Sequence, residues 1–214
     1  IFSKKEIASI FYACDNFPAY KESPNRQIIL SLVIRMIYGC GLRISEAVNL
    51  TISDVNLNEG TIFIKDTKFS KERLIPMAEK KKKRCREYSI LVLTGKSDTS
   101  YFFPSPFGGH YKSNTIYGLF RKVLWAAGIS HTGKGPRLHD MRHTYAVHCL
   151  KKWALANRDM TNCMPYLSAY LGHEDLRGSQ RYLRLTADLY PDITSKVEKN
   201  CSWLIPEVNW HETY

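Results

Sequence analysis

Apolar positions along the chain keep helical spacing over most of its length and change period in one short region. The stretch "SKKEIASIFYACD" sets Ser3 and Glu6 as a capping box before an apolar stripe, which predicts a short first helix. "SPNRQIILSLVIRMIYGCG" starts on Ser23 and Pro24 and stops on Gly39 and Gly41. Its apolar positions are too dense for a surface helix, so a central one is expected. "RISEAVNL" adds one or two helical turns directly after. From residue 51 to residue 76 the pattern changes. Asn58-Glu59-Gly60 signals a hairpin, and "TIFI" and "RLIP" are short and rich in β-branched residues. A three-stranded antiparallel sheet is predicted, with a basic turn between its last two strands. Helical character returns in "AEKKKKRCREYSILVLTG", whose lysine run reads as a solvated face. "KSDTSYFFPSPFGGHY" reads as loop, and "SNTIYGLFRKVLWAAG" as an amphipathic helix ending at Gly128. "SHTGKGPR" is a glycine-rich loop, Pro136 leads into a further helix, and two more surround "MPYLSAYLG" and "SQRYLRLTADLY". The expected fold is therefore mainly α with a small three-stranded antiparallel β-sheet (α+β). One domain is expected over residues 1–190, with a tail over 191–214.

Composition narrows the function classes. With 44% hydrophobic and 12% aromatic residues, the 214-residue chain is not a disordered sequence. An excess of 31 Lys+Arg over 20 Asp+Glu gives +11 and points to a polyanionic partner, nucleic acid ahead of an anionic membrane surface. No apolar run approaches the roughly 18 residues that a membrane helix needs, and the longest is interrupted by Arg35. The chain opens on Ile1 without a signal-peptide pattern, so a cut-down chain with residues missing upstream is expected. Six cysteines without a C-x-x-C pair suggest reduced thiols and a cytosolic protein.

The densest chemistry lies in "PRLHDMRHTYAVHCL", which admits a metal site, a phosphate site or a plain polar face. His139 and His143 share a helix face, and Asp140 stands where a zinc-protease helix has its glutamate base. Aspartate is shorter, however, and His148 points about 180° away from His139. His139 and Arg142 lie about 60° apart on the helical wheel and can converge on one anion. A guanidinium forks two N–H bonds onto phosphate oxygens, as lysine cannot. Upstream, two glycines turn the chain sharply to Arg43, which opens a helix whose N–H groups favour anions. Arg43 reads equally as a surface or capping residue. Glu46, one turn on, can hold a neighbouring side chain. "DTKFSKERLIP" carries Lys68 and Lys71 on the basic turn. In "AYLGHEDLRGSQRYLRL", His173 follows a glycine, and Tyr182 comes nine residues later between Arg181 and Arg184.

Taken in order, "GLRISE", "TKFSKERLIP", "LHDMRHTYA" and "LGHEDLRGSQRYLRL" resemble the tyrosine recombinase (integrase) family over about Gly39 to Leu185, above all integrases of bacterial mobile elements. The resemblance implies that fold and a catalytic domain over residues 1–190. It also implies cleavage and rejoining of DNA strands through a 3′-phosphotyrosyl intermediate. Arg43 and Arg142 would clamp the scissile phosphate, His139 and His173 would hydrogen-bond it, and Glu46 would support the arginine rather than react. Tyr182 would be the nucleophile, chosen by spacing over Tyr166, Tyr170 and Tyr190. Lys68 would be the general acid, although Phe69 stands where the family usually has glycine, and Lys71 is its rival. Lys71, Arg73, Arg181 and Arg184 would lie on DNA. No metal or cofactor is called for. The implied partners are double-stranded DNA, further protomers in a tetrameric synapse, and accessory proteins, with no membrane. The implied location is the cytoplasm, at the nucleoid when DNA-bound. The family's N-terminal DNA-binding domain is not represented, so weak DNA binding is expected. The tail "NCSWLIPEVNW" would either dock on a neighbouring protomer or fold back. Three rivals stay open: a type IB topoisomerase that relaxes DNA, a catalytically silent DNA-binding relative, and a zinc hydrolase using His139 and His143.

The lysine assignment is testable. Lys68→Ala should block cleavage of an ordinary duplex and recover on one with a 5′-bridging phosphorothiolate, whose sulfur leaves without a proton. Cleavage that stays blocked on the thiolate duplex would take the general-acid role from Lys68.

Overall fold

A computed structural model describes residues 1–65, 72–133, 135–173 and 177–189. Its helices are α1 (Lys4–Asp15), α2 (Arg26–Cys40), α3 (Ile44–Asn49), α4 (Glu79–Tyr88), α5 (Ser113–Ala126), α6 (Leu138–Leu155), α7 (Met160–Leu171) and α8 (Arg177–Leu189). Between α3 and α4 lie the strands β1 (Val55–Asn56), β2 (Thr61–Ile64) and β3 (Arg73–Pro76). Contacts cluster into two compact units, Ile1–Tyr145 and Ala146–Tyr214, with the division inside α6. Periodicity alone suggests one domain to residue 190. It reports which face of an element is buried but not which neighbour buries it.

In the first unit α2 is central, packed against α1, α3 and α4. Every residue from Ile29 to Ile37 is buried, Arg35 among them. That buried cation is tolerated because it is partnered. Its guanidinium donates to Asp15 Oδ2 at 2.7 Å and to Ser31, and lies 4.4 Å from the centre of the Phe11 ring. α2 stops where Gly41 adopts φ 61°, a left-handed conformation that glycine takes without strain. The predicted cap of α1 is present: Ser3 Oγ accepts from the Glu6 N–H at 3.2 Å, and Glu6 Oε2 from the Ser3 N–H at 2.7 Å.

The sheet runs β1-β2-β3, all antiparallel, with Val55 opposite Ile62 and Ile62 opposite Ile75. Ile62, Ile64 and Ile75 face the core. The predicted Asn58-Glu59-Gly60 turn joins β1 to β2, with Gly60 at φ 74°. The basic turn expected between β2 and β3 lies outside the described residues. α4 continues as a π-helical turn over Ser89–Leu93 rather than a longer α-helix. The loop that follows is fastened: Tyr88 Oη donates to the Phe102 carbonyl at 2.6 Å, and Phe102 and Phe103 are both buried against the Tyr88 ring. Burial pushes the thiols of Cys14 and Cys85 up to about 12, so they behave as small apolar core residues. Among the described residues, no helix is long and apolar enough to cross a membrane.

Ser3→Ala removes one half of the α1 cap and should cost about 1 kcal/mol, read as a lowered urea midpoint at unchanged slope.

Candidate functional site

The first unit gathers three arginines around one carboxylate. Arg43 stands at the N-cap of α3, delivered there by the Gly41 turn. Its backbone N–H and its Nη1 both donate to Glu46, each at 2.7 Å. The Arg43 N–H, expected to favour an anion, is therefore already taken. Arg73 of β3 grips the same carboxylate with both ends of its fork, at 3.0 Å and 2.8 Å. Arg142 of α6 places Nη1 3.8 Å from Glu46 Oε2 and donates to the Gly41 carbonyl. Side-chain exposures are 26% for Arg43, 9% for Arg73, 5% for Glu46 and 1% for Arg142.

Charge explains the arrangement. Burial alone would raise the Glu46 carboxyl, but bonds and charge from Arg73, then Arg43, outweigh it and hold it below the ordinary carboxylate value. One negative charge thus faces three positive ones. A second anion placed here meets preorganised guanidinium charge at low dielectric, which suits stabilisation of a phosphate. A cleft of about 540 Å³ opens beside Arg43, walled by Ser45, Asn49, Thr51, Lys65 and Tyr101.

His139 lies one turn before Arg142 on α6. Partial desolvation, then the Arg142 charge, lowers its pKa, so the imidazole is neutral near pH 7. Its ring meets that of His143 edge-on, centroids 4.5 Å apart. Asp140 is a capping carboxylate: its Oδ2 accepts from the Arg137 N–H at 2.6 Å. Among the described residues, no group of three or more metal-binding side chains is found.

The second unit holds the other candidates. Gly172, at φ 64°, ends α7 in a turn closed by a bond from the His173 N–H to the Ser168 carbonyl at 3.0 Å. His173 Nδ1 meets Ser179 Oγ at 2.8 Å. Its ring stacks on Tyr182, with centroids 5.8 Å apart and planes at 20°. Tyr182 shares the buried face of α8 with Ser179, Leu183 and Thr186 and is 3% exposed, while Arg181 and Arg184 face solvent.

The structure thus brings Arg43, Glu46, His139 and Arg142 into the first unit, and His173 and Tyr182 together in the second. Lys68 and Lys71 lie outside the described residues. Arg73, expected on DNA, is instead turned inward onto Glu46. Sequence reasoning missed that contact, the Gly41 carbonyl and Ser179. A buried arginine on a strand looks like an exposed one until its partner, 27 residues away, is known.

The chain is similar to known proteins over most of its length. Residues 1–188 match the model of the phage integrase family. A Sinorhizobium fredii protein that carries an integrase/recombinase name, y4rB, is 31% identical over 208 residues, covering 93% of this chain and 65% of that one. The chain spans about half to two thirds of the length of the curated relatives it matches. In fold it is similar to the crystal structure of XerA recombinase (TM-score 0.69, 24% identity, 97% of this chain and 65% of that one). It is similar also to XerH site-specific recombinase bound to its difH substrate (TM-score 0.66, 23% identity, 85% of this chain and 49% of that one).

The Glu46 cluster makes a pH-dependent contribution. A carboxyl held below its unfolded value stabilises the fold fully above roughly pH 4.3, and the gain fades as pH falls through the lowered folded value. Glu46→Ala leaves buried guanidinium charge uncompensated and should cost about 3 kcal/mol at neutral pH. Its urea stability should also fall less steeply with acid than the parent's. Parallel pH profiles would mean that Glu46 is not the ionised partner.

Proposed function

The chain belongs to the phage integrase family, and on that premise we propose that it cleaves and rejoins DNA strands at specific sites, for a bacterial mobile element, through a 3′-phosphotyrosyl intermediate. The observation that carries the reading is the cluster of Arg43, Arg73 and Arg142 around Glu46, with His139 one turn from Arg142. It is a preorganised, permanently cationic site, of the kind a phosphodiester needs as charge builds on its non-bridging oxygens.

In the proposed reaction Tyr182 passes its phenolic proton to neutral His139 as its oxygen attacks the scissile phosphorus. A tyrosyl–phosphate bond forms on the 3′ side, the bond to the 5′-oxygen breaks, and Lys68 gives that oxygen its proton. A 5′-hydroxyl of the partner duplex, its proton taken by the Lys68 amine, then attacks the same phosphorus, and Tyr182 leaves with the proton returned from His139. Arg43 and Arg142 hold the non-bridging oxygens. Neutral His139 donates a hydrogen bond and can relay a proton. His173, its Nδ1 engaged with Ser179 Oγ, hydrogen-bonds the phosphate in this reading. Arg142 and Tyr182 are both closed off from solvent, so engaging DNA entails uncovering them.

The proposed partners are double-stranded DNA and further copies of this chain in a synapse, in the cytoplasm. In support, XerH, whose fold this chain shares, has been captured on its difH substrate. Both units belong to the catalytic region in this reading. The tail over 191–214, which lies outside the described residues, docks on a neighbour or folds back. Arg181 and Arg184, exposed on α8, contact the DNA backbone.

A pool of duplexes randomised around a single nick tests the reading without a known target. Adducts are trapped by denaturation and their DNA sequenced. Covalent protein–DNA adduct should accumulate on a subset of sequences and vanish with Tyr182→Phe. An adduct that survives this substitution would place the nucleophile elsewhere.

A further inference from the structure

Gly39 sits inside α2, and its φ is not left-handed, so backbone freedom does not account for it. What accounts for it is space. A Cβ at this position would fall 1.3 Å from Lys81 Nζ and 2.6 Å from Lys81 Cε. The amine of this α4 lysine occupies the volume that any other side chain would need, and it donates to the Arg35 carbonyl at 3.0 Å. α2 has no basic residue in its last turn. Lys81 brings a cation from another helix to the end where carbonyl dipoles accumulate. Among the described residues, the ionisable groups that bear on its charge include no carboxylate. Desolvation accordingly lowers its pKa, with Cys40 and Cys85 working the other way. Holding an amine there is costly, and an ordinary surface lysine on α4 would avoid the cost.

The end of α2 is where the arginine site begins. Gly41, two residues after Gly39, gives the carbonyl that accepts from Arg142, and Arg43 follows two residues later. We infer that Lys81 is a positioning residue for the phosphate site, acting through the α2–α3 turn: glycine at 39 admits the amine, the amine fixes the end of α2, and that end sets Arg43 and the acceptor of Arg142. The inference rests on the proposed reading of Arg43 and Arg142 as the phosphate clamp. A plain stabilising contact is the rival. The two separate because alanine is favoured over glycine within a helix and the tip of a lysine can swing aside.

Gly39→Ala, Lys81→Met and their double variant, made in the 214-residue chain, decide between them. Amide hydrogen exchange at residues 41–44 should quicken about fivefold or more in Gly39→Ala with no fall in the thermal midpoint, a local rather than global opening. On the nicked duplex selected above, single-turnover adduct formation should slow by about ten- to a hundredfold, with the DNA dissociation constant within about twofold of the parent's. The double variant should be no slower than the worse single one, because both changes break the same contact. Unchanged exchange at 41–44 overturns the inference, as does a double variant whose losses multiply, or slowing that only tracks a lowered melting midpoint. Should Tyr182→Phe leave the adduct intact, the functional reading fails by itself, and the exchange measurement still decides whether Lys81 holds the turn.

Discussion

One carboxylate carries the site. Two like unit charges 4 Å apart repel by on the order of 4 kcal/mol at the effective dielectric of a protein, and three guanidinium groups crowded without an anion would drive their elements apart. Glu46 sits between them and bonds α3 to β3 and to its own N-cap, with α6 at ion-pair distance. Because it answers only one of the three charges, the site is left with an appetite for a second anion. Ordinary folding rules disfavour such an excess, and that is what makes it useful chemically.

The pieces of the candidate site fall into two units, and within each unit they are held by different means. In the first, fixed charges do the work. In the second, a glycine-terminated helix presents His173, and Ser179 and the Tyr182 ring hold the imidazole from two sides. The nucleophile candidate therefore rests beside an oriented imidazole, while permanent cations are organised by Glu46. This division matches what the proposed reaction would ask of each group: a phenol gains from being oriented, whereas a phosphate gains from charge.

Much of this was legible in the residues. The Ser3–Glu6 cap, the glycine stop of α2, the Asn58–Gly60 turn and the His139–Arg142 spacing are local signals, and local geometry honours them. What escaped was tertiary. The Arg73 fork onto Glu46, the Gly41 carbonyl under Arg142 and the Lys81 amine against Gly39 join residues far apart in the chain, and no periodicity encodes a partner. Gly39 is instructive because it looked like a helix stop, yet α2 runs through it to Cys40, and the volume beside its Cα is filled by the Lys81 amine. Burial of Arg142 and Tyr182 was equally invisible, since a motif names a side chain's chemistry but not what covers it.

α6 belongs to both units, carrying His139 and Arg142 before the division at Tyr145 and continuing without a break to Leu155. A helix advances about 1.5 Å and turns about 100° with each residue, so His139 and Arg142, three positions apart, are keyed to each other by angular phase as much as by distance. One residue inserted between them would turn Arg142 by more than a quarter-turn from the face it shares with His139, so the spacing of the pair tolerates no change in length.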